Sequence, residues 1–167
     1  LNLVPLRGNL ETRLKKLETE GLDAIILAAA GLIRLGWDDR ITEIISPEVL
    51  LPAMGQGAVG IETRKNDVDN QILLADMDDE ETHYALDAER ALVSELEGGC
   101  NVPIGSYATI NGDQITLTGL VASLDGKTMY KKELSDLKTN AIALGRKVGG
   151  ELIDMGADRI MRDIQSH

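Results

Sequence analysis

Cys100 is the sole cysteine of the chain. It follows Glu97-Gly98-Gly99 and precedes Asn101-Val102-Pro103-Ile104-Gly105. A thiol can act as a nucleophile, a redox partner or an attachment point, but a single one has no internal disulfide partner. A lone cysteine is most often a small buried hydrophobe. Two features point the other way. Gly98 and Gly99 carry no side chains to shield the sulfur, and the position lies just past a helical pattern, in a connection. The helix C-terminus and Glu97 oppose thiolate formation. Repeated nucleophilic turnover also needs a partnering base, and the two histidines, His83 inside a helical pattern and His167 at the last position, offer no obvious one. A cysteine alkylated once needs no base at each turnover. The local chemistry therefore favours covalent attachment slightly over protease-like turnover.

Arg7 and Arg13 bracket the first turn of a helical pattern that starts after Asn9, a good N-cap. They are either solvated surface arginines, the commoner fate, or an anion site at a helix N-terminus, where free N–H groups and the macrodipole favour carboxylates. Small residues at Ala28-Ala29-Ala30 end an apolar run and leave room for a ligand near the backbone, or simply for close helix–strand packing. Gln56, between Gly55 and Gly57, is either a hydrogen-bonding side chain near a ligand or a hinge residue. That glycine-rich loop precedes an extended run and has no Lys-Ser/Thr after it, which argues against nucleotide binding. No His/Cys/Asp cluster has metal-ligand spacing and no Gly-x-Ser-x-Gly elbow occurs, so no metal site is expected.

Composition narrows the partners. The net charge of −11 over 167 residues leaves no basic face for a nucleic acid. One Trp, three Tyr and no Phe supply no stacking platform and require an aliphatic core. No apolar run approaches the roughly 20 residues that span a bilayer, and the first residues lack a signal-peptide pattern. One cysteine fits a reducing cytosol. The chain begins in mid-pattern without an initiator Met, which suggests a fragment of a longer protein.

The elements that would position these residues follow from periodicity. Leu10, Leu14 and Leu17 predict a helix ended by Gly21. The run 23–28 predicts a strand buried on both faces of a parallel sheet, and residues 29–35 a short helix stopped by Gly36. Residues 58–63 predict a strand, and 67–78 a short helix followed by the acidic run Asp78-Asp79-Glu80-Glu81. A long helix then continues to about Leu96, with Tyr84, Ala88, Ala91 or Leu92, and Leu96 on one face. Residues 102–110, a turn at Asn111-Gly112, 115–122, a turn at Asp125-Gly126 and 127–134 predict three antiparallel strands. Helices over 139–155 and 157–165 close the chain. The fold class is α/β, ending in a small α+β domain with helices over one face of a three-stranded sheet.

Several motifs together resemble one family. They are Leu6-Arg7-Gly8-Asn9 with Thr12-Arg13-Leu14; Asp23-Ala24-Ile25-Ile26-Leu27-Ala28 with Ala30-Gly31-Leu32; Leu51-Pro52-Ala53-Met54-Gly55-Gln56-Gly57-Ala58; Ala88-Glu89-Arg90-Ala91; and residues 96–105 around Cys100. In this order they resemble the porphobilinogen deaminase (hydroxymethylbilane synthase) family, which often has Gln where this chain has Asn101. The resemblance implies a cytoplasmic, monomeric transferase of tetrapyrrole (haem) biosynthesis that joins four porphobilinogen molecules with release of ammonia. It implies a dipyrromethane cofactor held by a thioether to Cys100, with Arg7 and Arg13 binding carboxylates of the growing chain and Gly8, Asn9, Ala28, Ala29 and Gln56 lining the same cleft. It further implies periplasmic-binding-protein-like lobes: residues 1–51 as the second half of domain 2, 52–77 as a return segment completing domain 1, and 78–167 as domain 3. The catalytic aspartate would lie in an N-terminal half absent from this sequence, so no catalytic residue is expected here and the isolated chain would be inactive. A non-catalytic solute-binding or regulatory module is the alternative, though a simple binding lobe has no use for Gly-Gly-Cys.

Overall fold

A computed structural model of the chain describes residues 1–96 and 102–165. Cys100, with Glu97, Gly98, Gly99 and Asn101, lies outside the described residues. Two units emerge, Leu1–Ile45 and Ser46–His167.

In the first unit, α1 (Leu10–Thr19) starts as expected at Asn9, whose Oδ1 accepts the Thr12 N–H at 2.8 Å. Glu11 and Lys15 pair one turn apart at 3.0 Å, in the orientation that favours a helix. Past its end Gly21 takes a left-handed φ of +65°. α2 (Ala29–Arg34) buries Leu32, and a short 3-10 turn, Asp38–Arg40, follows. The expected strand over 23–28 is not formed. Residues 24–28 run without helical structure, with Ile26 69% exposed. A strand exists only where a neighbour takes up its N–H and C=O groups, and none among the described residues does so.

The second unit holds the three-stranded sheet. α3 (Val68–Leu74) runs into a 3-10 turn, Ala75–Met77. α4 (Glu80–Glu95) begins at Asp79, which accepts the Thr82 N–H at 3.2 Å, and carries Glu80 and Glu81 in its first turn, where the macrodipole favours acids. β1 (Ile104–Asn111), β2 (Gln114–Ala122) and β3 (Met129–Leu137) form an antiparallel sheet in the order β1-β2-β3. Asn111 pairs with Gln114 across Gly112, whose φ of +63° suits a tight hairpin. α5 (Ala141–Met155) ends at left-handed Gly156, and α6 (Ala157–Gln165) follows. The strand expected over 58–63 is also absent. That stretch has no ladder partner among the described residues, and Val59 is 85% exposed.

The core lies between one sheet face and α4 with α5. Ile115, Leu117 and Val121 of β2, Leu92 and Leu96 after or on α4, and Leu144, Val148 and Leu152 of α5 are fully buried. It is aliphatic, as the composition requires. Glycines allow the layers to close. A Cβ at Gly119 would stand 3.0 Å from Val148 Cγ1 and closer still to Leu92 Cδ1. A Cβ at Gly145 would run into the Ala88 carbonyl oxygen and stand 2.6 Å from the Ala91 Cβ. The opposite sheet face is polar, with Thr116 and Ser135 hydroxyls 2.8 Å apart and Thr118 Oγ1 donating to Glu133 Oε2 at 2.8 Å.

Candidate functional site

Six of the residues singled out in sequence fall in the first unit. Arg13 belongs to the first turn of α1 and is half-buried. Its side chain turns back, and Nε donates to the Gly8 carbonyl at 2.8 Å. That link depends on Gly8, whose φ is +128° and whose Cβ, if present, would lie 2.8 Å from Thr12 Cγ2. Any other residue there would be strained and crowded. With Nε committed, the terminal amino groups of the guanidinium remain as an oriented fork, the geometry that binds a carboxylate in two-point fashion. Arg7 precedes this turn and is exposed. Among the described residues neither arginine has a carboxylate partner, whereas Arg64 pairs with Asp67 and Arg162 with Asp158.

Asn9 caps α1 with its side chain, whose Oδ1 accepts the Thr12 N–H. Ala28, extended at φ −71° and ψ 113°, is the cap residue of α2, and its carbonyl accepts the Gly31 N–H at 3.1 Å. A Cβ at Gly31 would lie 3.0 Å from Leu10 Cδ1. The first turns of α1 and α2 therefore touch. Gly8, Asn9 and Arg13 at the start of α1 and Ala28 with Ala29 at the start of α2 gather at one end of the helix pair. Two arginines and the free N–H groups of the α1 start make this end suited to anions.

Gln56 lies in the second unit, exposed at the tip of a turn over residues 54–57. Gly55 takes φ +76° there, and the Gln56 N–H bonds the Ala53 carbonyl at 3.2 Å. What holds this turn was not anticipated. Glu89 of α4 is buried, 6% exposed. Its Oε2 accepts the Gly55 N–H at 2.8 Å and its Oε1 the Ala108 N–H at 3.0 Å. Two residues before Ala108, the Ser106 N–H donates to the Pro52 carbonyl at 2.9 Å. The segment before and through the Gln56 turn is thus tied to β1 at Pro52 and, through Glu89, at Gly55. A sequence signal did exist. Glu89 sits four residues after Ala85 and three before Leu92, inside the apolar stripe of α4.

His83 occupies the first turn of α4, hydrogen-bonded to Asp78 at 2.6 Å. That bond, together with the Asp78 charge, raises its pKa above the ordinary histidine value. Leu96, which leads into residues 97–101, is at the other end of the helix, about 20 Å along its axis. His83 is therefore not carried on the turn that leads to the cysteine. Among the described residues no helix is long and apolar enough to cross a membrane.

Two family domains match this chain in succession. Residues 1–72 match the porphobilinogen deaminase dipyromethane cofactor binding domain, and residues 84–154 match the porphobilinogen deaminase C-terminal domain. The chain is 49% identical to the porphobilinogen deaminase of Syntrophobacter fumaroxidans over 98% of its own length and 53% of that protein. It is 46% identical to that of an Exiguobacterium species, covering 95% of this chain and 52% of the relative. It is 48% identical to that of Ruthia magnifica, covering 98% and 54%. The chain belongs to the porphobilinogen deaminase family, and it spans about half the length of the curated relatives it matches.

Proposed function

We propose that this chain is the C-terminal part of a cytoplasmic, monomeric hydroxymethylbilane synthase, a transferase that joins four porphobilinogen molecules into hydroxymethylbilane with release of ammonia. The reading rests on the succession of the two family domains along the sequence. In this reading residues 1–51 complete domain 2, residues 52–77 return to domain 1, and residues 78–167 form domain 3. The two-lobed, binding-protein-like architecture belongs to the same proposal. Cys100 carries the dipyrromethane through a thioether. That group supplies the primer on which the pyrrole chain grows, with acetate and propionate side chains. The donor set at the start of α1 fits such a group, because among the described residues Arg7 and Arg13 have no carboxylate partner.

The protein's own residues then have separate tasks. Arg13, oriented by the Gly8 carbonyl, holds a substrate carboxylate in its fork. Arg7 adds positive charge beside it. The α1 N-terminus, capped by Asn9, favours the same anion. Ala28 and Ala29 let it approach the backbone. Gln56 offers an amide to the cleft. Local positive charge of this kind reconciles an anionic substrate with a net charge of −11.

The test is the intact mass of the complete enzyme carrying this sequence, denatured in acid. We expect a mass excess equal to one dipyrromethane, lost in Cys100→Ser. An adduct that persists on another residue would overturn the assignment. We further propose that the chain alone does not turn over. Its apolar stretches at 24–28 and 58–63 have no strand partners among the described residues, and they would be completed by the N-terminal half of the enzyme. Ammonia release from porphobilinogen should be absent with the isolated chain and appear when an N-terminal half is added. Steady release by the chain alone would refute this.

A further inference from the structure

We infer that Glu89 is a positioning residue for the Gly55–Gly57 turn and, through it, for Gln56. The inference rests on the proposed role of Gln56 in the substrate cleft. Burying a carboxylate is costly unless its oxygens are satisfied, and Glu89 is the one charged side chain among the buried residues described. Each of its oxygens takes one backbone N–H, and the two N–H groups come from segments 53 residues apart in sequence, Gly55 and Ala108. One of these is a ladder strand held by β2. The other is a turn that belongs to no ladder among the described residues, with a left-handed glycine in it and a second tie to β1 just upstream, at the Pro52 carbonyl. The rigid partner therefore fixes the soft one. Around Gly55 the remaining contacts are loose: a Cβ there would find only Leu86 Cδ2, at 3.8 Å. The adjacent Gln56 is exposed, so among the described residues the turn's own geometry is what aims its side chain.

The isosteric amide cannot replace this carboxylate. A glutamine has one acceptor oxygen, and its amino group would face an N–H with a donor. One of the two links is lost, and the turn is the partner free to move away.

The test uses the complete enzyme, with hydrogen exchange read on peptides covering residues 53–58 and steady-state kinetics read in parallel. In Glu89→Gln the Gly55 amide should exchange at least about tenfold faster, and kcat/KM for porphobilinogen should fall about tenfold, as in Gln56→Ala, with the double variant falling no further. A merely structural Glu89 would lower the unfolding midpoint and add its kinetic loss in full to that of Gln56→Ala, which would overturn the inference. Unchanged exchange at Gly55 would overturn it as well. Should Gln56→Ala keep full activity while Gly55 exchange still rises in Glu89→Gln, the cleft role of Gln56 fails and Glu89 stands as the holder of the turn. Gly55→Ala, strained at φ +76° with Glu89 intact, provides the same kinetic comparison if Glu89→Gln does not fold. A loss non-additive with Gln56→Ala supports the inference, and an additive one overturns it.

Discussion

Gly145→Ala is expected to lower the unfolding free energy of the second unit by about 3 kcal/mol, the upper part of the range for overpacked sites. The added methyl would meet the Ala88 carbonyl oxygen, the Ala91 Cβ at 2.6 Å and the Leu92 nitrogen at 3.0 Å. Two of these three neighbours are helix backbone and cannot rotate aside. α4 and α5 would have to separate, and the separation would loosen Leu92, Leu144 and Val148, all fully buried between the layers. Gly150 of the same helix is the internal control. A Cβ there meets nothing within 4 Å, and alanine is preferred over glycine inside a helix by about 1 kcal/mol. Gly150→Ala should therefore be neutral or slightly stabilising. Urea unfolding followed by far-UV circular dichroism reads both. Equal midpoints for the two variants would mean that the α4–α5 interface yields more easily than its geometry implies.

The second large effect concerns the proposed substrate site. In the complete enzyme, Arg13→Ala should reduce elongation by about tenfold to a hundredfold, since a hydrogen bond to a charged group contributes about 1.5–3 kcal/mol. Arg13→Lys should recover only part of the loss. A lysine keeps the charge but has neither the Nε–H that bonds the Gly8 carbonyl nor the planar fork. Partially elongated species should accumulate in both variants, with thermal stability close to that of the parent, because α1 buries none of its side chains. Single-turnover mass spectrometry of the enzyme-bound chain reads this. Wild-type elongation in Arg13→Ala would remove the arginine from the site.

The parts of the fold that were legible in sequence are those specified locally. Asn9 caps α1 because a side-chain oxygen three residues before an N–H is enough to start a helix. Asn111-Gly112 turns the first hairpin because Gly112 accepts a left-handed φ. The stripe of α4 reveals its inner face. The expected strands at 23–28 and 58–63 failed for the opposite reason. Their apolar runs have the character of buried strands, but a strand is a relation between two segments, and no second segment meets them among the described residues.

The candidate site divides in the same way. Arg7 and Arg13 stood out by type and by their position at a helix start. The bond from Arg13 to Gly8 did not, because it depends on a side chain folding back over a glycine. Glu89 was legible as a charge within an apolar stripe, but helical periodicity cannot name the backbone groups that reach that face. Cys100 carries the proposed attachment and lies outside the described residues, so its assignment rests on sequence resemblance.

The two groups that meet β1 at Ser106 and Ala108 have a consequence for how this sheet lives in solution. β1 is an outermost strand of eight residues, and an outermost strand with bare N–H groups is a template for strands of other molecules. Here the Pro52 carbonyl covers one of those donors and the Glu89 carboxylate the next. Neither can be extended into a ladder, since one belongs to a proline and the other to a side chain. A shortened chain starting at residue 78 would leave the Ser106 donor bare, whereas with Pro52 present that donor is taken up within the chain.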